Sequence, residues 1–240
     1  MIGRINRIEI LDAIYGHDMR VAVLLQGCDL RCICCQTPET WDYTGGEEIS
    51  AKALVEKFRH YQDYFGAHGG IVVTGGEPLL QAEFVEEVFK RCKEIGIHTE
   101  IDTSGSVCSA AVLRVLDYVD LVLLDLKYTT REDYRTYVNG SLRQTLRFLN
   151  VLQVRKIPVW LNQSIVPGLN DDDENLNRLA DIVNGHSCIE RVQLHPFQTI
   201  CAEKYEQLNI PFPLRGTPQL DGDTMERLNR YLKERISIYR

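Results

Sequence analysis

The sequence predicts an α/β fold, a partial (β/α)6 barrel of parallel strands with outer helices, and three observations predict it. Six apolar runs of strand length alternate with stretches of helical period. The runs carry Val, Ile and Leu at consecutive positions, as strands do when helices cover both faces of a parallel sheet. Six such units are too few for a closed ring of eight.

The first strand is expected at VAVLLQG (21–27), followed by a cysteine-rich loop and a helical stretch, ISAKALVEKFRHYQDYF (49–65). GGIVVTGG (69–76) forms the second strand. In QAEFVEEVFKRCKEIG (81–96), Phe84, Val85, Val88, Phe89, Cys92 and Ile95 fall on one helical face. HTEIDTSG (98–105) then precedes the helical AAVLRVLDYV, and DLVLLDLK (120–127) precedes a helix around SLRQTLRFLNVLQVRK. IPVWLNQSIVPG (157–168) leads to DDDENLNRLADIVNG, whose acidic start suits the positive end of a helix dipole. IERVQLHPF (189–197) is the sixth strand, and TMERLNRYLKERI follows it after a Pro-rich loop. No linker or shift of composition divides the chain, so residues 1–240 are read as one domain.

Composition narrows the partners. With 27 basic and 34 acidic residues the net charge is −7, which offers no cationic surface for a phosphate backbone, so no nucleic acid partner is expected. No apolar run approaches the roughly 18 residues of a membrane span. The N-terminus MIGRINRIEI has no apolar core of a signal peptide, and LLQGC (24–28) resembles a lipoprotein cleavage site preceded by an apolar stretch that is too short. No membrane partner, a cytoplasmic location and a monomer are the expectations. In a reducing cytosol the eight cysteines are not read as a disulfide framework.

In such folds chemistry gathers at the carboxyl ends of the strands. Those ends here carry Cys28, then Gly75, Gly76 and Glu77, then Asp102 and Thr103, then Asp125 and Lys127, then Asn162, and last His195 and Gln198. The need for turns explains the glycines. It does not explain Asp125 inside LLDLK, because a carboxylate in an apolar strand must be paired or bind something. Cys28, Cys32 and Cys35 form C-x3-C-x2-C. Structural zinc prefers four closed ligands, usually in two separated pairs, and no second pair exists. Cys92 and Cys108 fall in or beside helices where a small buried thiol is ordinary, Cys188 is isolated, and Cys201 in the Pro-rich loop fits either role. Three thiolates on one short loop suit three irons of a 4Fe-4S cluster and leave the fourth open.

The C-x3-C-x2-C loop after the first strand, with GGEP (75–78) after the second, resembles the radical S-adenosylmethionine superfamily. PETWD (38–42), GGEPLLQAEFVEEVFKRCKEIGIHTEIDTSG (75–105), LVLLDLK (121–127), VPGLNDDD (166–173) and LDGDTMERL (220–228) together resemble the pyruvate formate-lyase activating enzymes, over almost the whole chain. The resemblance implies a 4Fe-4S cluster on Cys28, Cys32 and Cys35, with S-adenosylmethionine chelating the open iron and held by Gly75, Gly76, Glu77, Asp102, Asp125 and Lys127. It implies a monovalent cation near Asp102, Thr103 and Asp125, and places Cys34, Gln36, Asn162 and Gln198 around the cofactor as well. The implied activity is generation of a glycyl radical on a partner enzyme through a 5'-deoxyadenosyl radical, with Lys127 and the three cysteines as the catalytic set. The implied partners are a glycyl radical enzyme and a low-potential electron donor such as flavodoxin or ferredoxin.

Departures from the family pattern cluster where the family meets its substrate. Cys34 replaces an aromatic residue, either as a small filler or as a further thiol, and Gln36-Thr37 replaces His-Asn. Tyr15 to Arg20 replaces Asp-Gly-Pro-Gly-Ile-Arg, Asn162 stands for an arginine, and Gln198 stands for a histidine three residues after His195. The altered cavity is read as fitting a partner other than ordinary pyruvate formate-lyase, or binding it differently. Two further readings stand beside the activase: a radical enzyme acting on a small molecule, and a degenerate activase that binds its partner without turnover.

Overall fold

The computed structural model describes residues 1–11, 19–66 and 69–239. All six expected strands are present in order, and the sequence-based boundaries fall within a few residues of them: β2 (Arg20–Leu25), β4 (Gly70–Gly75), β5 (His98–Thr103), β6 (Leu121–Asp125), β7 (Val159–Ile165) and β8 (Ile189–Pro196). Two more strands, β1 (Ile2–Leu11) and β3 (Glu47–Ser50), extend the sheet to eight, in the open order β3-β1-β2-β4-β5-β6-β7-β8. The fold is α/β with a mostly parallel, unclosed sheet.

The helices follow the same alternation: α1 (Ala51–Arg59), α2 (Ala82–Glu94), α3 (Ala110–Val115), α4 (Arg131–Asp133), α5 (Leu142–Arg155), α6 (Asp173–Asn184), α7 (Ala202–Gln207) and α8 (Gly222–Lys233). Their starts are fixed locally. Ser50, Ser109, Asp172 and Asp221 each accept a hydrogen bond from the backbone N–H three residues on, satisfying a donor that the helix itself leaves unpaired. Among the described residues no helix is long and apolar enough to cross a membrane.

The chain divides into two compact units, residues 1–29 with 39–123 and residues 30–38 with 124–240, and the boundary cuts through β6. In the first unit β2 pairs parallel with β4 from Arg20–Gly70 to Leu25–Gly75, and β4 pairs parallel with β5. Every residue of β2 is buried, which is why that strand reads as an unbroken apolar run. The buried face of α2 is Phe84, Val85, Val88, Phe89 and Cys92, as its 3.6-residue period requires, while Ile95 is only half-buried. At the start of β2, Arg20 meets the Glu100 carboxylate at 2.9 Å with both side chains almost fully buried.

β1 and β3 are antiparallel additions, with Ile10 opposite Val21 and Ile2 opposite Ser50. Their sequences, IGRINRIEIL and EEIS, are charged and hold no apolar run. Only pairing makes them strands, β1 to β2 and β3 to β1, and the charge on β3 suits a sheet edge. In the second unit β7 pairs parallel with β8 over Val159–Ile189 to Ile165–Pro196. Along β7 the residues alternate between buried and half-buried, so Asn162 and Ser164 share a face away from Leu161 and Gln163.

Candidate active site

In the first unit the chain leaves β2 through Gln26 and Gly27 to reach Cys28. Two backbone hydrogen bonds lace the GGE turn to this exit, Gly76 N–H donating to Leu25 C=O and Glu77 N–H to Gly27 C=O (both 2.9 Å), and a third ties the exit to Thr40, whose C=O accepts from Gly27 N–H (2.7 Å). Gly75 takes φ +107°, and a Cβ there would lie 2.4 Å from the Leu25 nitrogen; one on Gly76 would lie 2.1 Å from the Gly27 oxygen. The two glycines thus let one backbone lie directly on another, and side chains would push the turn off the strand that presents Cys28.

Glu77 is 1% exposed, so its carboxylate needs internal partners. It has four. Oε1 accepts from Leu79 N–H (3.0 Å) and Thr103 Oγ1 (2.6 Å), and Oε2 accepts from Ser104 N–H (3.0 Å) and Ser104 Oγ (2.5 Å). Burial pushes the carboxyl up, and the bonds from Ser104, Thr103 and Leu79 oppose it. Thr103, expected beside a cation, therefore spends its hydroxyl on Glu77. Asp102 is half-buried and accepts from Thr74 Oγ1 at 3.0 Å. Ser106 Oγ reaches Asp29 Oδ1 at 3.3 Å, tying the segment after β5 to the residue after Cys28.

In the second unit the loop from Leu30 to Pro38 carries Cys32, Cys34, Cys35 and Gln36. Its backbone is gripped from both sides. Arg31 N–H donates to Val138 C=O and Ile33 N–H to Tyr137 C=O, both at 2.9 Å, while Cys35 N–H closes a turn onto Cys32 C=O at 3.2 Å. Tyr205 Oη donates to Cys35 C=O at 3.2 Å, and Lys204 Nζ to Gln36 C=O at 3.0 Å. Tyr205 is itself wedged against Phe212, ring centroids 4.8 Å apart. Gln36 and Gln198 come together: the Gln36 amide donates to the Gln198 C=O at 3.2 Å, and both residues are exposed. Burial pushes the Cys34 thiol up to about 11, with Lys127 pulling the other way, so it stays protonated at neutral pH.

Asp125 and Lys127, two apart at the end of β6, form an ion pair with both side chains partly buried. Burial alone would lower the Lys127 ammonium; Asp125 and Cys32 override it and hold the group well above its ordinary range. His195 Nε2 lies 3.3 Å from Asn162 Oδ1. Burial lowers the His195 imidazole, Lys127 adds to this and Asp125 opposes it, so the ring is neutral at pH 7. The second unit thus assembles a lysine cation, a carboxylate, a neutral imidazole and an amide. His195 was legible in the sequence only as a strand-end histidine out of register with Gln198; its membership rests on the pairing of β7 with β8.

None of the eight cysteines forms a disulfide, and Cys92, Cys188 and Cys201 are buried, Cys201 at 1% exposure despite its loop position. Among the described residues no three His, Cys, Asp or Glu side chains form a ready-made site for a single metal ion. Thiolates of a multi-iron cluster bind separate metal atoms instead. Tyr15, Gly16, His17 and Asp18 lie outside the described residues.

A sequence profile described as the radical SAM superfamily matches residues 23–180, which takes in the cysteine loop, the GGE turn, Asp102, Asp125, Lys127 and Asn162. The chain is 38% identical over 235 residues to the pyruvate formate-lyase-activating enzyme of Clostridium pasteurianum, covering 98% of each. This chain belongs to the radical SAM superfamily and to its pyruvate formate-lyase-activating enzyme family. A second relative, the pyruvate formate-lyase 1-activating enzyme of Escherichia coli strain K12, is 34% identical over 98% of this chain and 96% of its own. Among solved structures, a domain of such an activating enzyme from Bacteroides vulgatus matches 69% of this chain with TM-score 0.57 at 22% identity. Streptococcus suis SuiB, bound to the precursor peptide SuiA, matches 86% of this chain and 43% of its own with TM-score 0.67 at 16% identity. At such identity these two likenesses speak for the fold alone. As a radical SAM family member the chain uses a 4Fe-4S cluster and S-adenosylmethionine. The site suits them: three of its cysteines share one short loop, its glycine turn is bonded to the strand exit that leads to Cys28, and Cys34 keeps its proton.

Proposed function

We propose that this chain activates a glycyl radical enzyme by removing one hydrogen atom from a glycine α carbon of that partner. The observation that carries the reading is the cysteine loop, whose backbone is held by Val138, Tyr137, Tyr205 and Lys204, which fixes the turn that carries Cys32 and Cys35. Cys28, Cys32 and Cys35 hold the cluster. When bound, the reduced cluster and S-adenosylmethionine supply one-electron cleavage of the sulfonium and a 5'-deoxyadenosyl radical.

The residues of the chain do the rest. Gly75 and Gly76 present backbone groups to the methionine amino end, and Glu77, sealed behind them, fixes the turn. Asp102 and Asp125 are assigned to a monovalent cation, because a carboxylate beside the ligand's own carboxylate repels it unless a cation offsets the charge. Lys127 supplies a fixed positive charge beside Asp125. Asn162, His195, Gln36 and Gln198 meet the partner's glycyl loop through neutral hydrogen-bonding groups, where an arginine and histidines would have offered charge, and this supports a partner whose loop differs from that of ordinary pyruvate formate-lyase.

Residues 1–240 act as one radical SAM core, a reading supported by a match at 23–180 that runs across the boundary between the two units. A flavodoxin or ferredoxin supplies the electron, and the protein works as a monomer in the cytoplasm without nucleic acid. The test is anaerobic: load the protein with iron and sulfide, reduce it, add S-adenosylmethionine, and quantify 5'-deoxyadenosine alone and with candidate glycyl radical enzymes. A glycyl radical signal on one of them is the expected result. A loaded cluster that yields 5'-deoxyadenosine on a small molecule and never a glycyl radical refutes the activase.

A further inference from the structure

Tyr128 follows Lys127 directly and is 2% exposed, among the largest fully buried side chains of the molecule. Its hydroxyl is buried with no hydrogen-bond partner among the described residues. The contrast with Tyr134 is plain, since that phenol accepts from Lys127 N–H (3.2 Å) and donates to Thr145 Oγ1 (3.3 Å). A buried phenol ordinarily finds a partner, and phenylalanine would fill the same space without the stranded hydroxyl. Packing therefore explains the ring and leaves the oxygen unexplained.

The ring sits against the clamp on the cysteine loop. Its centroid is 5.2 Å from that of Tyr137, tilted by 40°. The Tyr137 carbonyl takes the N–H of Ile33 and the Val138 carbonyl takes that of Arg31, so the clamp grips the residues on either side of Cys32. Burial pushes the phenol far up, and the Cys34 and Cys32 sulfurs are near enough to add to the effect. The group is a neutral donor at any working pH. Of the groups that this unit places around it, cysteine sulfur is the acceptor that gains charge when a cluster is loaded and reduced.

We propose that the Tyr128 hydroxyl donates a hydrogen bond to a sulfur at the Cys32 corner of the 4Fe-4S cluster and thereby sets the cluster's reduction potential. The proposal rests on the cluster reading above. A donor to sulfur stabilises the extra negative charge of the reduced state and raises the potential. The effect of Tyr128 is thermodynamic before it is kinetic.

The experiment compares wild type and Tyr128→Phe, each loaded anaerobically, by iron and sulfide content, by a redox titration followed through the reduced cluster's paramagnetic resonance, and by deuterium exchange of protons coupled to it. Equal loading is expected. At the potential where wild type is half reduced, the variant's ratio of reduced to oxidised cluster falls about threefold, equivalent to about 28 mV at 59 mV per tenfold for one electron. One exchangeable coupling disappears. Before loading, the variant unfolds at the same denaturant midpoint or a higher one. Fluorotyrosine at 128, a stronger donor of the same shape, shifts the midpoint potential upward, which a purely structural role does not predict. Identical titration curves and couplings in loaded wild type and variants overturn the proposal. Failure of wild type to bind iron and sulfide overturns the cluster reading itself, and Tyr128 with it.

Discussion

Substitution of Glu77 by glutamine separates a carboxylate that builds the turn from one that faces the cofactor. Each oxygen of Glu77 accepts a backbone N–H, Leu79 on Oε1 and Ser104 on Oε2, both at 3.0 Å. Neither oxygen can become an NH2 without setting donor against donor, whichever way the amide is flipped. The Thr103 and Ser104 hydroxyls can rotate to accept, but a backbone N–H cannot. One buried N–H is thus stranded, at about 1–3 kcal/mol, and a hydrogen bond to a charged acceptor weakens, which brings the expected cost to about 2–4 kcal/mol. With an m-value of about 2 kcal/mol/M in urea, the unfolding midpoint of the cofactor-free protein falls by about 1–2 M. The assay is urea denaturation without iron or S-adenosylmethionine, followed by far-UV circular dichroism. An unchanged midpoint combined with lost S-adenosylmethionine binding would refute the reasoning, because it would mean that the carboxylate meets the ligand and not Thr103 and Ser104.

Three further outcomes are expected. Arg20→Met leaves Glu100, 1% exposed, without its cation and destabilises the protein by about 3–5 kcal/mol, read as a lower denaturant midpoint. Cys34→Ala keeps full iron and sulfide loading, whereas Cys32→Ala or Cys35→Ala does not; iron analysis after anaerobic loading decides, and a loss of iron in Cys34→Ala would make that thiol a ligand. His195 is lowered by burial, so the unfolded chain binds its proton more tightly and stability contributed at this site is lost as pH falls below about 6.5. Replacing His195 by glutamine flattens the slope of stability between pH 5 and 7, and an unaltered slope in denaturation at several pH values contradicts the assignment.

The sequence by itself determined what depends on neighbours along the chain. Six strand and helix alternations were legible because a fully buried parallel strand such as VAVLL and an amphipathic helix such as AEFVEEVFKRCKE write their environments into local hydrophobic period. The apolar runs placed Cys28, Gly75, Gly76, Asp102, Asp125 and Lys127 at strand ends, and motif spacing joined Cys32 and Cys35 to Cys28 on the loop that follows the first strand. Helix starts such as Asp172 and Asp221 lay in the same local chemistry.

The tertiary structure decided what depends on residues far apart. β1 exists because β2 offers an edge and β3 because β1 then offers another, and no apolar run announces either. That Glu77 turns inward follows from Ser104, 27 residues on, and that Gly76 must lack a side chain follows from the Gly27 carbonyl, 49 residues earlier. His195 joins Asn162 through pairing of strands 33 residues apart, and Tyr205 reaches back 170 residues to hold Cys35. The unpartnered hydroxyl of Tyr128 has no sequence signature at all, since burial without a partner is a property of the whole neighbourhood. Local pattern fixes which face of an element is apolar; which buried polar group meets which partner is set only when the chain closes on itself.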